Sequence, residues 1–546
     1  MARVINALIV LFEFIGLSRS LKERKIQFVY YYTQISNLIA TASAILLLIF
    51  GLKKPVEVLR LTSTAMLLMT FAVTAFILVP LGGGLKDLMF KGNGFIHHLL
   101  CPVLSVISYM FAENRVSFVW TIVPVVITLI YGITMVCLNA KGIADGPYPF
   151  FKVNKYGIKK TVAYMVGLTL MIGLFSGIVS YRTPYKTDIK YVYVHGLAGW
   201  GSYDLRDEFI PYWGLSGGSI IRYMNNKGYE SYSASVAPTG SAWDRACELY
   251  AQLTGSVVDY GKEHSERCGH ERFGEDYSKK PLIKDFEGSK IVLIGHSFGG
   301  ATIRLFSDIL KDGVQAEINA TAQEDLSPFF KGGNGDNLIA IVTLAAPTNG
   351  TTAYDMYDDP DFDLTKIPIP EEYEKNSDAV SNNTKAEKDG RIEEDYAAFD
   401  MHIDNALKLN ESIDTFEDIY YFSVPCSTSV IDEAGNVYPD PSITENIFMK
   451  GAIQMSVYTG KTLGGYTIDE TWQPNDGLVN EISAKAPFNA PSKEYVPGTD
   501  PVPGVWYVMP TFRGDHMSLQ GGLTKRINVK PFYEELIETI TDAVYD

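Results

Sequence analysis

Apolar residues follow two different patterns along this chain. Through the first third they form long stretches at about 3–18, 27–51, 61–82, 96–112, 117–138 and 161–180. Most approach the roughly 20 residues a helix needs to cross a bilayer, which predicts six membrane helices. The first stretch has the length of a signal peptide. It carries Glu13, however, lacks a clear small-residue cleavage site and runs at once into further apolar spans, so a retained helix is expected. From Asp188 the pattern changes to short β-rich runs alternating with amphipathic segments. Strands are expected at 190–195 and 290–295, a helix at 301–310 and a third apolar run at 338–346. Such alternation predicts a mostly parallel sheet with helices on both faces. An acidic, turn-rich stretch at 355–414 reads as a lid-like insertion above the carboxyl ends of the strands. The expected division is a six-helix transmembrane domain over 1–183 and an α/β domain over 184–546.

Charge follows the same division. Residues 1–183 hold seventeen Lys and Arg against six Asp and Glu, and residues 184–546 hold thirty against fifty-seven. An acidic α/β part repels phosphate backbones, which argues against nucleic acid as a partner, while a basic apolar part suits an anionic membrane face. With the loops after helices one, three and five on the cytoplasmic side, that side carries eleven Lys and Arg against eight opposite. The chain is thus expected in the plasma membrane with the α/β part extracellular. Of five cysteines, Cys101 and Cys137 fall in apolar segments and read as small buried hydrophobes. The other three, Cys247, Cys268 and Cys426, do not suggest a disulfide framework, with a Cys247 to Cys268 bridge left open.

The chemistry centres on Gly295-His296-Ser297-Phe298-Gly299, followed by Gly300, between a predicted strand and a predicted helix. G-x-S-x-G in that setting is the pattern of a nucleophile elbow, in which small neighbours allow a strained turn that lifts the serine hydroxyl above the sheet. The amides of Phe298 and of Leu197, in the Gly-rich turn after the first strand, are candidate donors to a developing oxyanion. Such a donor is typically worth about 3 kcal/mol. A serine needs a base, and only His402 and His516 lie downstream. His516 occupies a late turn, whereas His402 lies in the acidic insertion; Asp476, in Asn475-Asp476-Gly477, is a loop carboxylate able to orient a histidine.

The strings HGLAGWG (195–201), WDRACE (243–248), VDYG (258–261), GHSFGG (295–300), APTNGTT (346–352) and NDGLVN (475–480) resemble the thermoalkalophilic bacterial lipases and their staphylococcal relatives. The matches keep their order across about 188–520. The resemblance implies an α/β-hydrolase fold cleaving triacylglycerols and other carboxylic esters, with Ser297, Asp476 and His516 as the triad and Leu197 and Phe298 as oxyanion donors. It also implies a structural zinc ion held by Asp244, His264, His270 and Asp404, a donor set that suits zinc. The acidic residues that would hold the family's calcium just beyond the histidine are missing from Met517-Ser518-Leu519-Gln520-Gly521, so calcium is not expected. The family keeps a mobile lid where 355–414 falls.

In the first third, YYTQISN (31–37), HHLLCP (97–102), the stretch 120–131 and GPYPF (146–150) place polar residues at membrane depth. They resemble six-helix bacterial membrane proteins similar in turn to the androgen-induced integral membrane hydrolases, which implies Thr33 and His97 as a possible second site. A hydrogen-bonded pair holding helices together explains the same residues. The sequence thus points to a membrane-anchored serine lipase or carboxylesterase acting on a lipid ester. A phospholipase is the rival within enzymes, and a silent hydrolase-fold binding module the rival outside them.

Overall fold

The structure, a computed structural model, describes residues 2–113, 115–181, 184–374 and 392–545. It divides into two compact units, Met1–Thr183 and Pro184–Asp546.

The first unit contains six helices long and apolar enough to cross a membrane: α1 (Ala2–Arg24), α2 (Tyr32–Phe50), α3 (Lys54–Gly82), α4 (Gly92–Ala112), α5 (Phe118–Ala140) and α6 (Ile158–Ser180). The second begins later than its apolar stretch because Lys25–Tyr30 winds as a separate 3₁₀ turn. Polarity is distributed inside out. Thr33, Gln34, Ser36 and Asn37 are buried, whereas Phe14, Ile49, Phe76, Ile130 and Leu170 are exposed. Apolar surroundings reward this arrangement, since polar side chains then find partners only in the bundle interior. Arg60, fully buried, forks onto Glu113 through Nε and Nη2, both at 2.9 Å, and donates further to Ser43 and Ser105 at 3.3 Å and to Ser63 at 3.5 Å. Asn6 and Ser108 reach the same carboxylate at 3.1 and 2.6 Å. All five cysteines are free, so Cys247 and Cys268 are not joined. Cys137, expected to be buried, is exposed.

The second unit is built on a seven-stranded sheet: β1 (Ile189–Val194), β2 (Glu230–Ala234), β3 (Lys290–His296), β4 (Leu338–Leu344), β5 (Tyr420–Val424), β6 (Ser492–Glu494) and β7 (Trp506–Val508). The spatial order is β6-β7-β5-β4-β3-β1-β2, with every pairing parallel. Both faces are covered at the centre of the sheet, which is why β3 and β4 are apolar and buried at successive positions rather than alternating. Ile189, Tyr191 and Tyr193 of β1 pack with α7 (Ile220–Lys227) and α10 (Lys530–Tyr545) through Met224, Tyr533 and Ile540. Val192 and Val194 face α8 (Ala242–Thr254) and α9 (Gly299–Asp312) through Ala246, Ile303 and Phe306.

The chain runs outward from β1 to β2, then crosses back to β3, so the strand order reverses between β1 and β3. Crevices for ligands form at such a reversal, beyond the carboxyl ends of the strands. The acidic segment at 355–414 follows β4. Residues 375–391 of it lie outside the described residues, and at its described ends Met356, Met401 and Ile403 are buried in the main core.

Candidate active site

Ser297 follows directly on β3, and α9 begins two residues later. Its φ of 55° is a left-handed conformation that costs a non-glycine residue energy. The surroundings hold it there. The Ser297 amide donates to the Leu344 carbonyl at 2.8 Å, and the glycines two and three positions away have no room for a side chain. A Cβ at Gly295 would lie 2.4 Å from the Gly299 carbonyl oxygen, one at Gly299 2.3 Å from that of Val194, and one at Gly300 2.4 Å from the Ala346 Cβ. Gly196, in the turn after β1, is equally constrained: a Cβ there would come within 2.6 Å of the Ser297 Cβ.

His516 Nε2 stands 2.8 Å from Ser297 Oγ, and its Nδ1 stands 2.8 Å from Asp476 Oδ2. All three residues are buried. The other Asp476 oxygen accepts the amides of Leu478 and Val479 at 3.0 and 2.8 Å, and the His516 amide donates to the Asp476 carbonyl at 2.9 Å. A carboxylate so committed to accepting requires Nδ1 to carry the proton. Nε2 is then left as the acceptor for the serine hydroxyl. The amides of Leu197 and Phe298 make no hydrogen bond among the described residues. They flank the serine, one from the end of β1 and one from the start of α9.

His296, the variable residue of the elbow, also belongs to the site. Its Nε2 donates to the His516 carbonyl at 3.0 Å, and its Nδ1 accepts from Tyr212 Oη at 2.8 Å. Burial holds its pKa far below the ordinary histidine value, so it stays neutral and serves as a fixed strut for the His516 turn. Nothing in the elbow pattern marks this position.

The sequence model of one family, described as "Lipase-like, C-terminal domain", matches residues 187–367 and 374–544. The chain belongs to that family. It is 32% identical over 360 residues to a lipase of Staphylococcus hyicus, covering 62% of this chain and 54% of the relative. It is 31% identical over 361 residues to lipase 2 of Staphylococcus aureus, covering 60% and 50%. The chain thus spans about half the length of the curated relatives it matches. Among solved structures it is similar to EstA of Clostridium botulinum (29% identity, TM-score 0.54, covering 67% of this chain and 90% of that one). It is also similar to the S. hyicus lipase (28%, 0.54, 67% and 97%) and to lipase 1 of Pelosinus fermentans (30%, 0.53, 65% and 98%).

The lipase-like unit has a second constellation. Asp244, His264, His270 and Asp395 each offer a ligand atom, and these atoms all lie within 4.8 Å of one another. His264 Nε2 is 3.2 Å from Asp244 Oδ1 and 3.3 Å from Asp395 Oδ1. His270 Nε2, 3.7 Å from each of the two carboxylates, is buried and makes no hydrogen bond among the described residues. Its Nδ1 stands 2.9 Å from the Glu271 carbonyl oxygen, which can only accept, so Nε2 is left with its lone pair facing the group. The fourth member is Asp395 and not Asp404. The segment at Asp395 is tied to the turn before α8: the Ser241 amide donates to the Asp395 carbonyl at 3.2 Å and the Ala397 amide to the Thr239 carbonyl at 3.0 Å. Asp404 lies beyond a break at His402 (ψ 140°), and its carboxylate accepts from Thr462 Oγ1 and the Gly464 amide, both at 2.6 Å. In the stretch beyond His516, the amides of Leu523, Thr524 and Lys525 donate to Glu445 at 2.6–2.8 Å.

In the six-helix unit, Thr33 does not meet His97. His97 Nδ1 lies 3.1 Å from Glu13 Oε2, and its Nε2 lies 3.4 Å from Ser20 Oγ. Thr33 Oγ1 meets His98 Nε2 at 3.4 Å and Tyr148 Oη at 3.3 Å, and His98 Nδ1 donates to the Leu88 carbonyl at 2.7 Å. Adjacent residues leave a helix in different directions, here within the π-helical turn Ile96–Leu100, so His98 faces Thr33 and His97 faces α1.

Proposed function

We propose that this protein is a membrane-anchored serine esterase acting on lipid esters. The observation that carries the reading is the chain of contacts from Ser297 through His516 to Asp476, 2.8 Å at each link, beside two unengaged amides. In the proposed reaction Ser297 Oγ attacks the ester carbonyl while its proton passes to His516 Nε2. Asp476 steadies the imidazolium. The amides of Leu197 and Phe298 receive the negative charge that develops on the carbonyl oxygen. His516 returns the proton to the departing alcohol, then takes one from a water molecule that attacks the acyl-enzyme and releases a carboxylic acid. The relatives named as lipases support an acylglycerol or similar lipid ester as substrate.

The six apolar helices support anchoring in the plasma membrane, with the acidic unit on the outer side. Asp244, His264, His270 and Asp395 fit a zinc ion: two imidazoles and two carboxylates suit that metal, and His270 Nε2 is a buried acceptor lacking a donor. Zinc there would cross-link the start of α8 to the turn at Asp395, a structural role.

The test is hydrolysis by the full-length protein in detergent of short- and long-chain glycerides and a phospholipid, for wild type and Ser297→Ala. Loss of all activity in the variant is expected, and the panel separates glyceride from phospholipid preference. Activity that survives Ser297→Ala would move the chemistry to Thr33 and His98. A wild type inert toward every ester would leave the hydrolase fold as a binding module.

A further inference from the structure

Arg245 is fully buried, yet its hydrogen bonds all go to neutral acceptors. It lies in the first turns of α8, which Ser241 caps by accepting the Asp244 amide at 3.2 Å. A cation there opposes the positive end of the helix dipole, and its burial without a carboxylate in contact is costly. Packing alone gives no reason for it.

The contacts of Arg245 surround the backbone just before Leu197 and the ring of Phe298, the two residues proposed to stabilise the oxyanion. Nη2 donates to the His195 carbonyl, and Nη1 donates to the Ala237 carbonyl at 2.8 Å and reaches the Gly196 carbonyl at 3.5 Å. Nε donates to Thr302 Oγ1 at 2.9 Å, and the guanidinium lies 5.2 Å from the centre of the Phe298 ring. The Gly196 carbonyl is the decisive acceptor. It shares one planar trans peptide with the Leu197 amide, so whatever fixes the oxygen aims the N–H in the opposite direction. The Gly199 amide donates to the same oxygen at 3.2 Å, and a further side chain holds it. His195 Nε2 accepts the Val236 amide at 3.2 Å, so the ring proton sits on Nδ1, which donates to Gly196 at 2.8 Å. Burial, with Arg245 nearby, pushes the His195 pKa down to about 3, which keeps this tautomer neutral.

We infer that Arg245, together with His195, is a positioning residue for the oxyanion site: it pins and polarises the peptide joining Gly196 to Leu197 from behind and seats Phe298 against its guanidinium. Donors bonded in series strengthen one another, and a fixed cation behind the carbonyl makes the N–H on the far side a better donor to an anion. The interaction gains value as negative charge appears on the substrate oxygen, so it acts on the transition state more than on bound substrate.

This inference rests on Ser297 being the nucleophile, and the experiment keeps the two claims apart. Wild type, Ser297→Ala, Arg245→Lys, His195→Asn and His195→Leu are compared in the full-length protein on a soluble short-chain ester, together with inhibition by an alkyl boronic acid, which forms a tetrahedral adduct on an active serine. For Arg245→Lys the expected result is kcat lower by about tenfold or more, KM within about twofold, and boronate affinity weaker by the same factor as kcat/KM. A kcat within about twofold of wild type, or a lower kcat with unchanged boronate affinity, overturns the inference. Where Arg245→Lys does not fold, as judged by its melting transition, the His195 pair decides. Asn keeps a donor near the Nδ1 position and should retain most of kcat, whereas Leu should lose about tenfold at unchanged KM, and equal losses in both overturn the claim. A wild type inert toward esters, or an active Ser297→Ala, instead overturns the reading of Ser297 and this inference with it.

Discussion

The lipase-like unit holds two constellations of histidine and aspartate that differ mainly in spacing. At Ser297 the groups stand in line, each link 2.8 Å, and every Asp476 oxygen already accepts from a donor. Around His270 two carboxylates and two imidazoles gather with imidazole-to-carboxylate separations of 3.2–3.7 Å, and one ring nitrogen has no donor among the described residues. Spacing of the first kind lets a proton pass between neighbours. Spacing of the second kind suits coordination of a cation by all four groups at once, because bonds to zinc of about 2 Å each need ligand atoms roughly 3–3.5 Å apart. The same residue types thus support opposite uses, and the side chains' other partners decide which: backbone amides lock Asp476 toward His516, while a backbone carbonyl on His270 Nδ1 frees its Nε2.

The sharpest break between the two is expected in turnover. His516→Ala should lower kcat by roughly 10⁵-fold or more, and Asp476→Ala by roughly 10⁴-fold, measured on the same soluble ester. Comparable losses from His270→Ala in a folded protein would erase the distinction. Next in size is stability. Dialysis of the purified protein against a zinc chelator should lower the melting temperature by roughly 5 °C or more, and His270→Ala should abolish that response. A chelator without effect on a protein shown by elemental analysis to contain zinc would rule out coordination at this cluster. The third expectation concerns zinc content alone: Asp395→Asn should reduce bound metal below one ion per chain. The smallest effect is that of Asp404→Asn, which gives up one of the two oxygens that accept from Thr462 and Gly464 and should bind zinc as wild type does. Reversed behaviour of these two variants would restore the ligand set read from sequence.

Those two aspartates show how far the sequence could be read. Six apolar stretches and the strand-to-helix setting of Ser297 were legible because length, period and obligatory glycines are local properties. Gly295, Gly299 and Gly300 are each excluded from bearing a side chain by a contact within 2.4 Å. Asp395 was not legible, because it is brought to Asp244 by bonds between segments some 150 positions apart, such as that from the Ser241 amide to the Asp395 carbonyl. His98 was not distinguishable from His97, since both sit in the same polar string and helix rotation alone decides which faces Thr33. Arg245 lay within a motif already singled out, yet its acceptors are main-chain carbonyls, which every residue possesses and no residue type announces.

On the proposed reading of the six helices as membrane-spanning, the fork between Arg60 and Glu113 also bears on how that unit can be made. The two residues are 53 positions apart, so a ribosome releases the cation well before its partner. Any chain ending between α3 and the end of α4 holds a guanidinium whose carboxylate does not yet exist, and such a helix has every reason to slide toward water or tilt until it does. Topology maps built from reporters fused to progressively longer truncations would therefore misplace α3 at those junctions, whereas reporters inserted into the intact chain would not. The bundle is best treated, in the test tube as during synthesis, as indivisible up to Glu113.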